Sequence, residues 1–204
     1  MTTASGKARE MDEWVWDGGR RCLDLVNTYR DRYRDGRELL LGPDELAEWL
    51  AVAGLLGAEP GGSARPSSAH LRTALELREA VDRAARARAS GARLEPSDID
   101  LINRTARHSH LAARQIRQDG DGAVVSWAPP PVDPVLAALG ALAADAVDLL
   151  ATDPPPAVRV CAAGRCGIRF LDGSPAGNRQ WCSMRRCGNR EKARQHYARR
   201  KALP

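Results

Sequence analysis

The chain has 204 residues, 43% of them hydrophobic and 28% charged, with a net charge of +5. That length holds one ordinary domain and a small appendage, and the composition is that of a soluble globular protein. No apolar run approaches the ~20 residues of a membrane span and residues 1–10 lack the apolar core of a secretory signal, so no membrane partner and a cytoplasmic place are expected.

Residues 1–13 are polar and expected to be disordered. Trp14-Val15-Trp16 reads as a short strand ahead of a turn at Gly18-Gly19. Arg20 to Arg34 reads as a helix, because Cys22, Leu25, Val26, Tyr29 and Tyr33 recur at helical spacing and mark one apolar face. Cys22 is expected there as a small buried hydrophobe. Asp24 and Asn27 lie three apart on that helix. They either line a polar ligand pocket or cap neighbouring backbone groups. Gly42-Pro43-Asp44-Glu45 starts a second helix, with proline early and acids in the first turn. Leu46, Leu50 and Ala53 form its stripe, with Trp49 at the edge.

Glu59 to Ser68 is a flexible loop by composition. Ser68 to Ala89 is a long helix with Leu71, Ala74, Leu75, Leu77 and Val81 on its apolar face. Pro96-Ser97-Asp98 begins another, with Ile99, Ile102 and Ala106 inward and His108 and His110 at its end. Those two histidines could bind a metal, but cations at a helix C-terminus are favoured in any case. Ala112 to Ile116 and Ala123 to Trp127 flank Asp119-Gly120-Asp121-Gly122 and read as a β-hairpin. Pro129-Pro130-Pro131 ends it. Asp133 to Leu150 is a strongly apolar helix, capped by Asp133 with Pro134 first. Its hydrophobicity implies packing on several sides, as a clamp between domains or in a dimer interface. Residues 152–156 form the linker.

Four of the five cysteines follow, in two matched pairs: Cys161 and Cys166, then Cys182 and Cys187, each with four residues between. Zinc in a structural site is tetrahedral, and two such pairs complete a four-thiolate shell. Disulfides are the other use of the spacing, and they are rare in the cytosol. One structural Zn2+ per chain is therefore expected, with no open position for catalysis. From Arg159 to Pro204 twelve Lys/Arg stand against Asp172 and Glu191, a net +10, which leaves −5 for the rest. A basic module beside a mildly acidic domain is the asymmetry expected where one part meets a polyanion, although a solubilising tail would look the same. Read at 100° per residue, the last helix (from about Gly188 to Lys201) turns Ala193 and Tyr197 inward and Lys192, His196 and Arg199 outward, with Arg190, Arg194 and Lys201 near the Cys187 side. Arg185 and Arg186 in the zinc turn are expected to be exposed. Arg190 either meets nucleic acid or bonds Asp172 or loop carbonyls near the metal.

The run from Cys161 through Phe170-Leu171-Asp172, Trp181-Cys182-Ser183-Met184 and Cys187-Gly188-Asn189-Arg190 resembles the CGNR zinc finger, named for its last four residues. Cys22-Leu23-Asp24-Leu25-Val26-Asn27-Thr28, with Leu46, Trp49, Leu50 and Gly54-Leu55, resembles the domain that accompanies this finger in bacterial proteins described as stress-induced transcription regulators. The resemblance implies DNA binding by the finger. It names neither an effector nor an operator.

The expected fold is α+β: a mostly helical regulatory or sensor domain with a small hairpin over residues 14–151, then a treble-clef-like zinc finger over residues 157–204. The expected function is a DNA-binding regulator. Arg185, Arg186, Arg190, Lys192, Arg194, Arg199 and Arg200 are the candidate contacts to duplex DNA, and the larger domain serves a small-molecule or protein effector or homodimerisation. The alternative is an RNA- or protein-binding adaptor with the zinc module as scaffold. An enzyme is not expected, because the chain shows no glycine-rich phosphate loop and no nucleophile with a base.

Overall fold

The computed structural model describes residues 14–56, 64–109, 114–120, 122–127, 132–164 and 166–201. The expected disorder of residues 1–13, part of the loop at 59–68, His110 and the prolines at 129–131 lie outside the described residues. The fold is α+β and mostly helical, with a four-cysteine module at its C-terminal end.

A short helix, α1 (Arg21–Val26), is followed by a hairpin of two tiny strands, β1 (Tyr29–Arg30) and β2 (Arg37–Glu38). The helix expected through Arg34 therefore stops at Val26. Its end is fixed locally and at long range. The Thr28 hydroxyl donates back to the Leu25 carbonyl, and the Asn27 side chain leaves the helix to bond the backbone of Arg169. The chain then turns through Asp31 and Gly36, at φ 53° and 59°, a left-handed geometry that suits the Asp/Gly-rich sequence there. Tyr33, expected in the core, is 67% exposed as a result. Residues 14–16, expected as a short strand, form none: Trp14 is in a bend and Val15 and Trp16 have no regular structure.

Buried Arg78 holds the hairpin down. Its guanidinium donates to both Glu38 oxygens at 2.7 Å and to Glu79, with the Tyr29 ring beneath it. Next come α2 (Pro43–Val52), α3 (Ser68–Ala89) and α4 (Pro96–Ala106). The hairpin of β3 (Arg114–Asp119) and β4 (Gly122–Trp127) pairs Ile116 with Val125, where the Asp/Gly signal put it. Helix α5 (Pro134–Ala151) completes the domain. Leu23, Leu25, Leu46, Trp49, Leu50, Leu77, Leu139 and Leu142 form one closed core. Trp49 belongs inside it rather than at its edge, stacked at 5.5 Å on Trp16. Leu71 and Leu75 are only partly buried against it, and Ile99, expected inward, is 38% exposed.

Helix α5 has the length and hydropathy of a membrane span. In this fold it is the central core helix, packed on α1, α3 and α4, with nine buried residues. Asp133 caps it by accepting from the Leu136 N–H and also bonds His70 at the start of α3. Gly140 is needed inside it, because a Cβ there would fall 2.4 Å from the Ser109 backbone nitrogen. The clamp between the two parts of the chain is not α5: the finger seats on α1 and α3.

Candidate metal centre and nucleic-acid face

The C-terminal module opens with β5 (Val158–Val160), which pairs antiparallel with β6 (Arg169–Leu171) around the first cysteine turn. In that turn the Cys161 N–H donates to Ile168 and the Cys166 N–H to Ala163, and Gly167 takes φ 68°. Asp172 shapes the loop beyond β6, accepting from the Ser174 hydroxyl and N–H and the Arg179 N–H, with Arg159 paired at 2.9 Å. Of the second cysteine pair, Cys182 precedes and Cys187 lies within a π-helical turn, Met184–Gly188, capped by Ser183 and running directly into α6 (Asn189–Lys201). Turn, hairpin, turn and helix follow in the order of a treble-clef finger.

The four sulfurs of Cys161, Cys166, Cys182 and Cys187 are buried and lie within 4.8 Å of one another. Cys166 and Cys182 are 3.6 Å apart, and Cys182 and Cys187 3.8 Å. These separations are far beyond a disulfide bond, and all the cysteines are free. They match the spacing of about 3.8 Å between thiolates held tetrahedrally at 2.3 Å from zinc. The chemistry of the cluster also calls for a cation. Hydrogen bonds from Cys166 and Cys182 hold the Cys161 thiol well below its ordinary value, and the same bond pushes Cys166 up to about 12. The Cys182 N–H points at the Cys161 sulfur at 3.4 Å, and Arg190 reaches the Cys187 sulfur at 3.7 Å. These donors complement thiolate charge. The four cysteines can hold one metal ion, and the all-sulfur set suits zinc.

The module is docked on the helical domain. Asn27 bonds the Arg169 backbone in both directions, at 2.8 Å to its N–H and 2.9 Å to its carbonyl. The Arg169 guanidinium is buried against Asp82 of α3, with its Nε at 2.7 Å. Leu171 donates to the Gly18 carbonyl, and Val15 is buried in the finger's own small core with Ile168 and Phe170. Sequence reading missed this seam. Its signal was there: Arg78 and Asp82 interrupt the apolar stripe of Leu77, Val81 and Ala85, and a charged residue on an inward face needs a partner.

Asp24 and Asn27 are both engaged internally. An Asp24 oxygen accepts from the Gly18 N–H at 2.8 Å. Burial pushes its carboxyl up to about 7, the Gly18 N–H pulls it down, and the charges of Asp17 and Asp145 add to the rise. In the unfolded chain the same group titrates near 3.9. Between those values the unfolded state gives up its proton first, so stability falls as pH rises from about 4 to about 7 and is flat above. Asp24→Asn keeps the Gly18 bond and removes the titration. It is expected to match wild type at pH 4 and exceed it at pH 8 by about 4 kcal/mol. Urea unfolding at both pH values measures this, and a difference that does not change with pH would refute it.

The seven basic candidates separate in space. Arg185 is exposed, as are Lys192, Arg199 and Arg200 along α6. Arg186 pairs with Asp17 in the segment between the two parts. Arg190 bonds the Cys187 sulfur, not Asp172, and Arg194 lies 3.9 Å from Glu191. None of the residues of α6 is buried. Ala193 and Tyr197, expected inward, face solvent, because the helix projects beyond the body it leaves.

Two family models match the chain. The CGNR zinc finger covers residues 157–200, and ABATE, described as a putative stress-induced transcription regulator, covers residues 19–153. Neither description is of an enzyme. No curated protein matches the chain significantly. With well over half of its length matched by the ABATE model, and with the four clustered cysteines in the finger that follows, the chain belongs to the ABATE family.

Proposed function

We propose that this chain binds duplex DNA through α6 and the exposed end of its second zinc turn, with the helical domain serving dimerisation or effector sensing. The observation that carries this reading is α6 itself: thirteen residues, six of them Lys or Arg against Glu191, and none buried. A helix with no apolar face has nothing to hold it against its own protein, and at this length it is marginal alone in water. A polyanion supplies what it lacks. Arg185, Lys192, Arg199 and Arg200 are the direct contacts. Arg190 and Arg194 lie closer to the metal, and Arg186 adds its charge beside Asp17. Zinc, when bound, fixes the turn from which α6 projects. A cytoplasmic place follows from DNA as partner.

The apolar groove of Leu94, Ile99, Ile102, Val147 and Leu150, between α4 and α5, is the place in the helical domain where a small apolar effector fits. A single finger offers few base contacts, so a dimer on a two-fold site is the expected assembly.

Anisotropy titration of a mixed-sequence duplex at several salt concentrations tests the reading. About four to six neutralised phosphates give a slope of log affinity against log salt of roughly −4 to −5. Replacing Arg185, Lys192, Arg199 and Arg200 by alanine should flatten that slope by about 3 and weaken binding about a hundredfold, with zinc retained. Equal affinity for the two proteins would favour the adaptor reading instead.

A further inference from the structure

A groove beside the zinc centre is built by two distant parts of the chain. One wall is the first cysteine turn, residues 161–164 with Cys166 and Gly167, and the other is the β1–β2 loop, with Asp31, Tyr33 and Arg34. The loop reads Arg30-Asp31-Arg32-Tyr33-Arg34-Asp35-Gly36-Arg37. Arg32 turns away, clamped on both oxygens of Glu79. Tyr33 and Arg34 stay exposed. The Tyr33 ring passes 3.6 Å from the place a Cβ would take on Gly167 and has the Arg169 guanidinium 5.4 Å from its centre. Its position is therefore set by the finger. The Arg194 guanidinium comes within 3.9 Å of the corresponding point on Gly164, which lines the same groove. Arg34 and Arg194, far apart in the sequence, thus both lie beside one cysteine turn.

We propose that this groove extends the nucleic-acid face, so that a DNA strand leaving α6 at Arg194 crosses the first cysteine turn and is received by Arg34 and Tyr33 of the helical domain. This rests on the reading of α6 as the DNA-binding helix. Arg34 supplies a phosphate contact and the Tyr33 hydroxyl a hydrogen bond to phosphate or sugar, the kind of contact that fixes register without reading sequence. Asp31 and Asp35 keep the loop's charge low, so it positions the strand more than it attracts it. The helical domain then touches the same DNA as the finger, which couples its conformation directly to binding.

The test uses the full-length, zinc-loaded protein and a mixed-sequence duplex. Arg34→Ala is expected to weaken binding about fivefold and flatten the salt slope by about 1, and Arg34→Glu to weaken it further. Arg104→Ala, at an exposed site on α4, should leave binding unchanged. Hydrogen exchange on the wild-type protein gives an independent measure: DNA should protect residues 30–37 together with residues 161–167. If Arg34→Glu binds like wild type while the α6 alanine variant has lost affinity, the groove proposal is overturned and the α6 reading stands. Absence of protection at residues 30–37 has the same meaning. If the wild-type protein binds no duplex even at low salt, both readings fall.

Discussion

Removal of zinc is expected to unfold the finger and to loosen the helical domain without unfolding it. Four thiolates brought within 4.8 Å of one another cannot all stay charged without a cation. The module's own core is small: Val15, Ala163, Ile168 and Phe170 beside the cysteines themselves, with Trp181 partly buried against them. So few apolar side chains cannot meet the entropy of ordering a segment of this size, and the metal supplies the difference, about 10–16 kcal/mol for structural zinc near neutral pH. The helical domain has its own closed core around Leu25, Trp49 and Leu139 and should remain folded. It does lose the cover of Val158 and Leu171, which pack against that core from the finger, and its Asp82 loses Arg169. Elemental analysis should find one zinc per chain. Chelation, or Cys182→Ser, should erase exchange protection after residue 156 and lower the unfolding midpoint of the helical domain. Because thiols must lose protons to bind zinc, affinity should fall as pH drops, with proton release on binding. A metal-free protein with unchanged protection across the finger would refute this account.

How much of this was legible in the sequence depends on the range of the interactions involved. The cysteine pairs, the Asp133 cap with Pro134, and the Asp/Gly hairpin are local chemistry, and each stands where its signal put it. Helix periodicity placed α2, α3, α4 and α5 for the same reason. It failed at Tyr29 and Tyr33, whose spacing fits a helix. There the helix is cut at Asn27 by a bond to Arg169, 142 residues away, and the chain is redirected into a hairpin held by Arg78. Tertiary bonds of that range have no local signature. In α6 the 100° reading gave a correct helix and a wrong orientation, because it supposed a neighbour for Ala193 and Tyr197 that the fold does not provide. The pairing of Arg186 with Asp17 was equally out of reach, since it depends on how the segment before α1 threads between the two parts.

Asp82→Ala should be the most damaging single substitution away from the cysteines. The Asp82 and Arg169 side chains are both about 95% or more buried and meet at 2.7 Å. Removing one partner of such a pair leaves the other charged and desolvated, which costs about 3–5 kcal/mol. Arg169 would keep its bond to the Gly167 carbonyl and the face of Tyr33, neither of which neutralises it. The i,i+4 pair of Asp82 with Arg86 is half exposed on the arginine side and adds little. The pair itself is a different quantity from the cost of breaking it. Asp82→Leu combined with Arg169→Met removes both charges and both desolvation penalties, so the double variant should lose far less than Asp82→Ala alone, within about 2 kcal/mol of wild type. Chemical denaturation of wild type, Asp82→Leu, Arg169→Met and the double variant closes the cycle. Exchange at Asn27 and at Arg169–Leu171 reports separately whether the finger stays docked. If Asp82→Ala costs less than about 1 kcal/mol, or the double variant is as unstable as the worse single one, the ion pair is not what anchors the finger. The docking would then rest on the Asn27 bonds and the Leu171–Gly18 contact.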